Sequence, residues 1–193
     1  MNPKIGLEGM LEYGSHKHSI WGSIKNVFTA FVVTLIWTIL MTLFLRVGLG
    51  IGLNEIRIMI LAQMSIYTKI PAAIGSNPLA MFFFACVLAP LWEEAVFRYA
   101  PFKIARSLES VSSCELFGYL PKTTCLFPAM VMSSIIFGLM HGGVVNIMFQ
   151  GFTGMFLAWV MVKSGYPYAV LAHSLWNFML MFGMPVLINT IGK

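Results

Sequence analysis

Charge is what this chain is short of. Only 10% of its 193 residues are Asp, Glu, Lys or Arg, where soluble domains carry about a quarter. That scarcity excludes an ordinary water-soluble globule. The net charge of +5 gives no argument for nucleic acid, because lysine and arginine in a membrane chain mostly mark the cytoplasmic side. Cysteine is also scarce: Cys86, Cys114 and Cys125 are an odd number without metal-type spacing, so neither a disulfide framework nor a thiolate metal site is expected. There is no His-Glu-x-x-His, no internal repeat and no low-complexity segment.

What is present is apolar. Hydrophobic residues make up 59% of the chain and the mean hydropathy is +0.84. Several runs approach the roughly 20 residues that a membrane-spanning helix needs. The expected fold class is all-α: a multi-pass membrane helical bundle of five to six spans enclosing a polar cavity, since lipid tolerates only structures that satisfy their own backbone. Residues 1–22, with Lys4, His16, Lys17 and His18, lack an apolar core and read as a short soluble tail. Residues 23–193 read as one helical transmembrane domain. The first span is expected at Val27 to Leu45. The segment Ile51 to Ile70 carries Glu55, Arg57, Gln63 and Lys69 and reads as partly inserted. The remaining runs are Leu79 to Phe97, Leu126 to Met140, Val144 to Val162 and Tyr166 to Ile191. Lys103 to Lys122 is the one long polar connection. The basic tail favours a cytoplasmic N-terminus.

The few charges are not scattered. Pro90-Leu-Trp-Glu-Glu-Ala-Val-Phe-Arg98 sets two carboxylates and an arginine in an apolar run, where ions are costly and usually functional. On a helix Glu94 and Arg98 share a face and can pair, while Glu93 points about 100° away. One carboxylate is thus neutralised and the other is available for chemistry; the competing reading is a purely structural ion-pair network. His141 closes one run. His173 and Asn177 lie four apart in the last one, where interhelical hydrogen bonds would also explain them. For Glu93 to reach the level of His141, the carboxylate helix must run past Arg98 to about Ser107.

A carboxylate and a histidine sharing a water can take its proton and make a nucleophile. A second histidine and an amide can stabilise an oxyanion. These groups suffice for peptide hydrolysis without a serine or cysteine nucleophile and without a metal. Zinc, which also takes Glu and His, is the disfavoured alternative.

Glu93-Glu94-x-x-x-Arg98, Phe137-x-x-x-His141 and His173-x-x-x-Asn177, in this order and each in an apolar run, resemble the motifs of the CPBP family, the CAAX proteases and bacteriocin-processing enzymes, also called the ABI family. The stretch Phe152-Thr-Gly154 through Lys163-Ser-Gly165 to His173 is similar to the segment before the family's last motif, and the motif-bearing core covers residues 79–180. The resemblance implies an intramembrane glutamate endopeptidase. Glu93 would be the catalytic glutamate and His141 its partner in activating water. His173 and Asn177 would be the oxyanion-stabilising pair, and Glu94 with Arg98 the supporting ion pair. It implies a cavity open to the cytoplasmic side and a peptide or protein substrate, prenylated CAAX tail or precursor peptide, met at the membrane lipid. A glycine often follows the arginine in that family; here it is Tyr99. The alternative from another class is a non-catalytic peptide-binding or bacteriocin-immunity protein of the same family.

Overall fold

The computed structural model describes residues 19–52, 55, 77–112 and 125–183. Every regular element among them is helical. α1, Ile20–Gly48, starts where Ser19 Oγ accepts from Gly22 N at 3.1 Å and ends in a π turn, Phe44–Gly48. α2, Pro78–Ser112, starts at Asn77, whose side chain accepts from Leu79 N and Ala80 N. Proline at the first helical position costs no hydrogen bond there. α3 is Leu126–Met140, α4 is Val144–Ser164, and α5 is Tyr166–Phe178 continued by a π turn, Met179–Gly183. α4 and α5 meet at Gly165, whose φ of 99° is a conformation that a side chain disfavours.

Among the described residues α1, α2 and α4 are long and apolar enough to cross a membrane, and α3 is a shorter apolar helix. These helices make the protein a membrane protein. Most of the expected segment Ile51 to Ile70 lies outside the described residues, as do the tail before Ser19 and the chain beyond Gly183. The polar connection Lys103 to Lys122 begins as helix, because α2 continues through its last segment, Ala100–Ser112. The reason is amphipathic: Phe102 and Ala105 are buried while Ile104 and Leu108 face outward, and this segment packs on α3. The carboxylate helix therefore does run past Ser107.

α2 also passes through two prolines without ending. Proline has no amide proton and normally breaks the i to i−4 ladder. Here each is preceded by a π turn, Phe84–Leu88 before Pro90 and Ala95–Tyr99 before Pro101. Wider turns of this kind absorb a break in register. The arrangement repeats eleven residues apart, as Ala89-Pro90 and Ala100-Pro101.

The bundle is centred on α4, which packs against α1, α3 and α5, while α5 also packs against α1 and α2. The core runs through Val27, Ala30, Phe102, Leu157, Ala158, Met161, Ala169 and Ala172. Small residues at these crossings let backbones approach closely, which is how helices associate where lipid removes the hydrophobic drive. Polar bolts supplement it: Asn26 Nδ2 donates to Ser164 Oγ at 2.9 Å, and Trp37 Nε1 donates to Met148 O at 2.6 Å.

Candidate active site

Glu93 and Glu94 end the short α-helical segment Ala89–Glu94 between the two π turns, and Arg98 lies in the second of them. Both carboxylates and the guanidinium point inward. Glu94 and Arg98 are 0% exposed and Glu93 is 6% exposed. His141 caps the C-terminus of α3, and His173 and Asn177 project from one face of α5. The structure brings all six residues into one buried layer between α2, α3 and α5.

Glu94 is engaged through one of its oxygens. Its Oε1 accepts from Arg98 Nη1 at 3.1 Å and from His173 Nδ1 at 2.8 Å. With this oxygen already accepting from the guanidinium, His173 Nδ1 is assigned as the second donor to it, which puts the ring proton on Nδ1. The rest of the arginine is held by other means. Its Cζ lies 4.0 Å above the Phe137 ring centre, a cation–π contact strengthened by the absence of bulk water around it. Gly154 makes room for it: a Cβ there would stand 2.7 Å from Arg98 Nη2. Among the described residues Arg98 Nε, Arg98 Nη2 and Glu94 Oε2 have no hydrogen-bond partner, so the aromatic face and the single short ion pair carry the burden of burying this charge.

Glu93 is placed differently. Its Oε2 faces His173 Nε2 at 3.4 Å and His141 Nε2 at 3.7 Å, and it makes no hydrogen bond among the described residues. His141 Nδ1 lies 2.8 Å from Phe137 O. A carbonyl only accepts, so this nitrogen also carries its proton. Both imidazoles are thus fixed in the same sense, Nδ1–H turned to a structural acceptor and Nε2 turned to Glu93. Phe137 is the hub of the arrangement, with its ring 4.2 Å from the His141 ring and 5.6 Å from that of His173.

His141 is anchored through its backbone as well. The buried Asn146 Nδ2 donates to His141 O at 2.7 Å, across the turn in which Gly143 has a φ of 94°. Tyr166 reaches α2 one turn from the carboxylates, its hydroxyl donating to Leu91 O at 2.6 Å. Asn177 Nδ2 donates to Ala85 O at 2.9 Å. Sequence reasoning did not single out Asn146, Tyr166 or Gly154 as site residues. Tyr166 acts on a backbone carbonyl of another helix, which no local spacing reports, and Asn146 acts on the carbonyl five residues before it through a turn that periodicity does not reveal; only Gly154 stood in a motif, within Phe152-Thr-Gly154.

Among the described residues no three His, Cys, Asp or Glu side chains are arranged to hold a metal ion. What the layer can do is acid–base chemistry: a carboxylate oxygen and two imidazole nitrogens converge in a site largely closed to solvent, where a low dielectric strengthens each interaction.

Neither the curated proteins nor the solved structures provide a match. A family model does, the one described as type II CAAX prenyl endopeptidase Rce1-like, over residues 75–179. The match begins just before α2 and ends just after Asn177, so it encloses the whole buried layer. It covers more than half of the chain, and the chain belongs to that family.

Proposed function

We propose that this protein is an intramembrane glutamate endopeptidase in which Glu93 and His141 activate the hydrolytic water. The family is one of peptidases, so a peptide or protein is the substrate class. The observation that carries the reading is the convergence of His141 Nε2 and His173 Nε2 on Glu93 Oε2, with the far side of each ring tied down. A water seated there gives one hydrogen to His141 Nε2 and one to Glu93. Its oxygen attacks the scissile carbonyl carbon as Glu93 takes the proton. His173, its Nδ1 held by Glu94, is the imidazole that stabilises the oxyanion that forms. The C–N bond then breaks and the proton on Glu93 passes to the leaving amine. Asn177, held by the donation of its Nδ2 to Ala85 O, is the second oxyanion-stabilising group.

In this reading Glu94 and Arg98 hold His173 in position, and no metal takes part. The substrate is the tail of a membrane-associated protein or precursor, prenylated or not, entering from the cytoplasmic side, where Lys25 and the basic residues at the end of α2 lie.

The test is cleavage of a mixed library of farnesylated CAAX peptides and unmodified precursor peptides in detergent, read by mass spectrometry with Glu93→Gln in parallel and a chelator arm. Cleavage by wild type alone, unaffected by chelator, is the expected result. Equal cleavage by Glu93→Gln overturns the assignment. No cleavage by folded wild type favours the peptide-binding or immunity reading, and loss with chelator restored by zinc favours the metallohydrolase.

A further inference from the structure

Asn177 reaches across the bundle to a backbone atom, and the identity of that atom is informative. Its acceptor, Ala85 O, belongs to the π turn Phe84–Leu88 of α2. At the end of this turn the Ala89 N–H pairs with Phe84 O, five residues back. The next amide in the same register is that of residue 90, and its acceptor is Ala85 O. Residue 90 is proline, which has no N–H to give. Ala85 is completely buried, and a buried carbonyl stripped of its donor is destabilising. We propose that Asn177 is a positioning residue that stands in for the amide Pro90 lacks, fixing the turn of α2 from which Glu93 and Glu94 project.

The placement gives this bond leverage. Glu93 and Glu94 follow Pro90 by three and four residues. His173 precedes Asn177 by four on the same face of α5, and its Nδ1 is bonded to Glu94. α5 is therefore bolted to α2 at two points, one turn apart on α5 and nine residues apart on α2, before Pro90 through Ala85 and after it through Glu94. Removing the first bolt leaves the proline-broken turn free to rotate, and the Glu93 carboxylate moves relative to both Nε2 atoms. A shift of about 1 Å at a reacting group costs on the order of a hundredfold in rate. This task is separate from any contact of the second amide hydrogen with substrate. Its bearing on turnover rests on the endopeptidase reading; its bearing on the fold does not.

The experiment is a double-mutant cycle of Pro90→Ala and Asn177→Ala in the full chain in detergent. Pro90→Ala returns an N–H to residue 90 and so supplies Ala85 O from within the helix. The first readout is the thermal midpoint without substrate. Asn177→Ala lowers it by several degrees when residue 90 is proline and by less than half as much when it is alanine. Asn177→Asp, which keeps the volume and loses the donor, shows the same dependence. If either Asn177 variant folds only in the Pro90→Ala background, the coupling is shown in its strongest form. The second readout is kcat and KM on a cleaved peptide. Asn177→Ala lowers kcat about tenfold or more with KM nearly constant, and Pro90→Ala recovers the part of that loss that comes from the displaced turn, leaving the part that comes from the missing oxyanion donor. Equal midpoint losses in both backgrounds overturn the splint. Coupled midpoints in a chain that cleaves nothing uphold it while rejecting the endopeptidase reading.

Discussion

Glu93 and Glu94 are neighbours in the chain but project from α2 about 100° apart, and the two sides of the helix that they serve are built differently. On the Glu94 side every neighbour is committed. Arg98 and His173 both bond the same carboxylate oxygen, Phe137 lies under the guanidinium, and Gly154 leaves it space. On the Glu93 side two imidazole nitrogens approach without closing a hydrogen bond. A buried charge that is paired serves the fold, because removing its partner leaves an uncompensated ion. A buried carboxylate facing groups that can hold or release a proton serves chemistry. Under the proposed mechanism two residues of identical type divide structure and catalysis between them, and substitutions at the two positions should separate activity from stability.

The largest effect falls on turnover. Glu93→Gln keeps the shape and removes the base, and should lower kcat by about 10³-fold or more while leaving the thermal midpoint in detergent within a degree or two of wild type. A variant that melts far earlier would show that Glu93 also belongs to the structural side. Glu94→Ala should do the reverse. It strands Arg98 among Phe137 and Gly154 and frees His173 to turn, at a cost of about 3–5 kcal/mol in stability. Thermal melts in detergent check this, and an unchanged midpoint would dissolve the distinction between the two sides.

The periodic part of this arrangement was legible in the sequence. Glu94 and Arg98, Phe137 and His141, and His173 and Asn177 are each four apart, and helical geometry alone puts each pair on one face. The need for a long carboxylate helix could also be reasoned out, and α2 meets it by running to Ser112. The prolines were harder. A proline inside a helix ordinarily kinks or stops it, yet the π turns before Pro90 and Pro101 carry this one through. Hydropathy has no register for a turn that is one residue wider. Contacts between helices were hidden for the same reason. Nothing near Gly154 announces that its missing side chain is the space filled by Arg98, and nothing near Asn146 announces that it bonds the carbonyl of His141. Five to six spans were expected. Among the described residues three helices are long and apolar enough to cross and α3 is shorter.

Gly154→Ala sharpens the comparison by perturbing the Glu94 side most directly, at Arg98. The new methyl would lie 2.7 Å from Arg98 Nη2 and 3.4 Å from Phe137 Cδ1. Arg98 is bonded to Glu94 and cannot swing away without lengthening that ion pair, so overpacking of about 1–3 kcal/mol is expected. Because Glu94 also holds His173, kcat should fall in step with the midpoint. A variant that melts earlier yet turns over normally would show that the ion pair and His173 are not mechanically linked.

The smallest expected effect comes from the far side of the bundle and calibrates the others. Asn26 on α1 donates to Ser164 on α4, in a seam that touches none of the six residues of the layer. Asn26→Ala removes one donor from a part-buried hydroxyl, and a neutral hydrogen bond of this kind is worth about 0.5–1.5 kcal/mol. The midpoint should drop slightly and kcat should not change, because α1 packs mainly on α4 and α5 among the described residues, and their own contacts with α2 and α3 remain. A fall in kcat as large as that of Gly154→Ala would mean that catalysis follows the packing of the whole bundle, and the division between the two sides of α2 would then describe geometry without describing function.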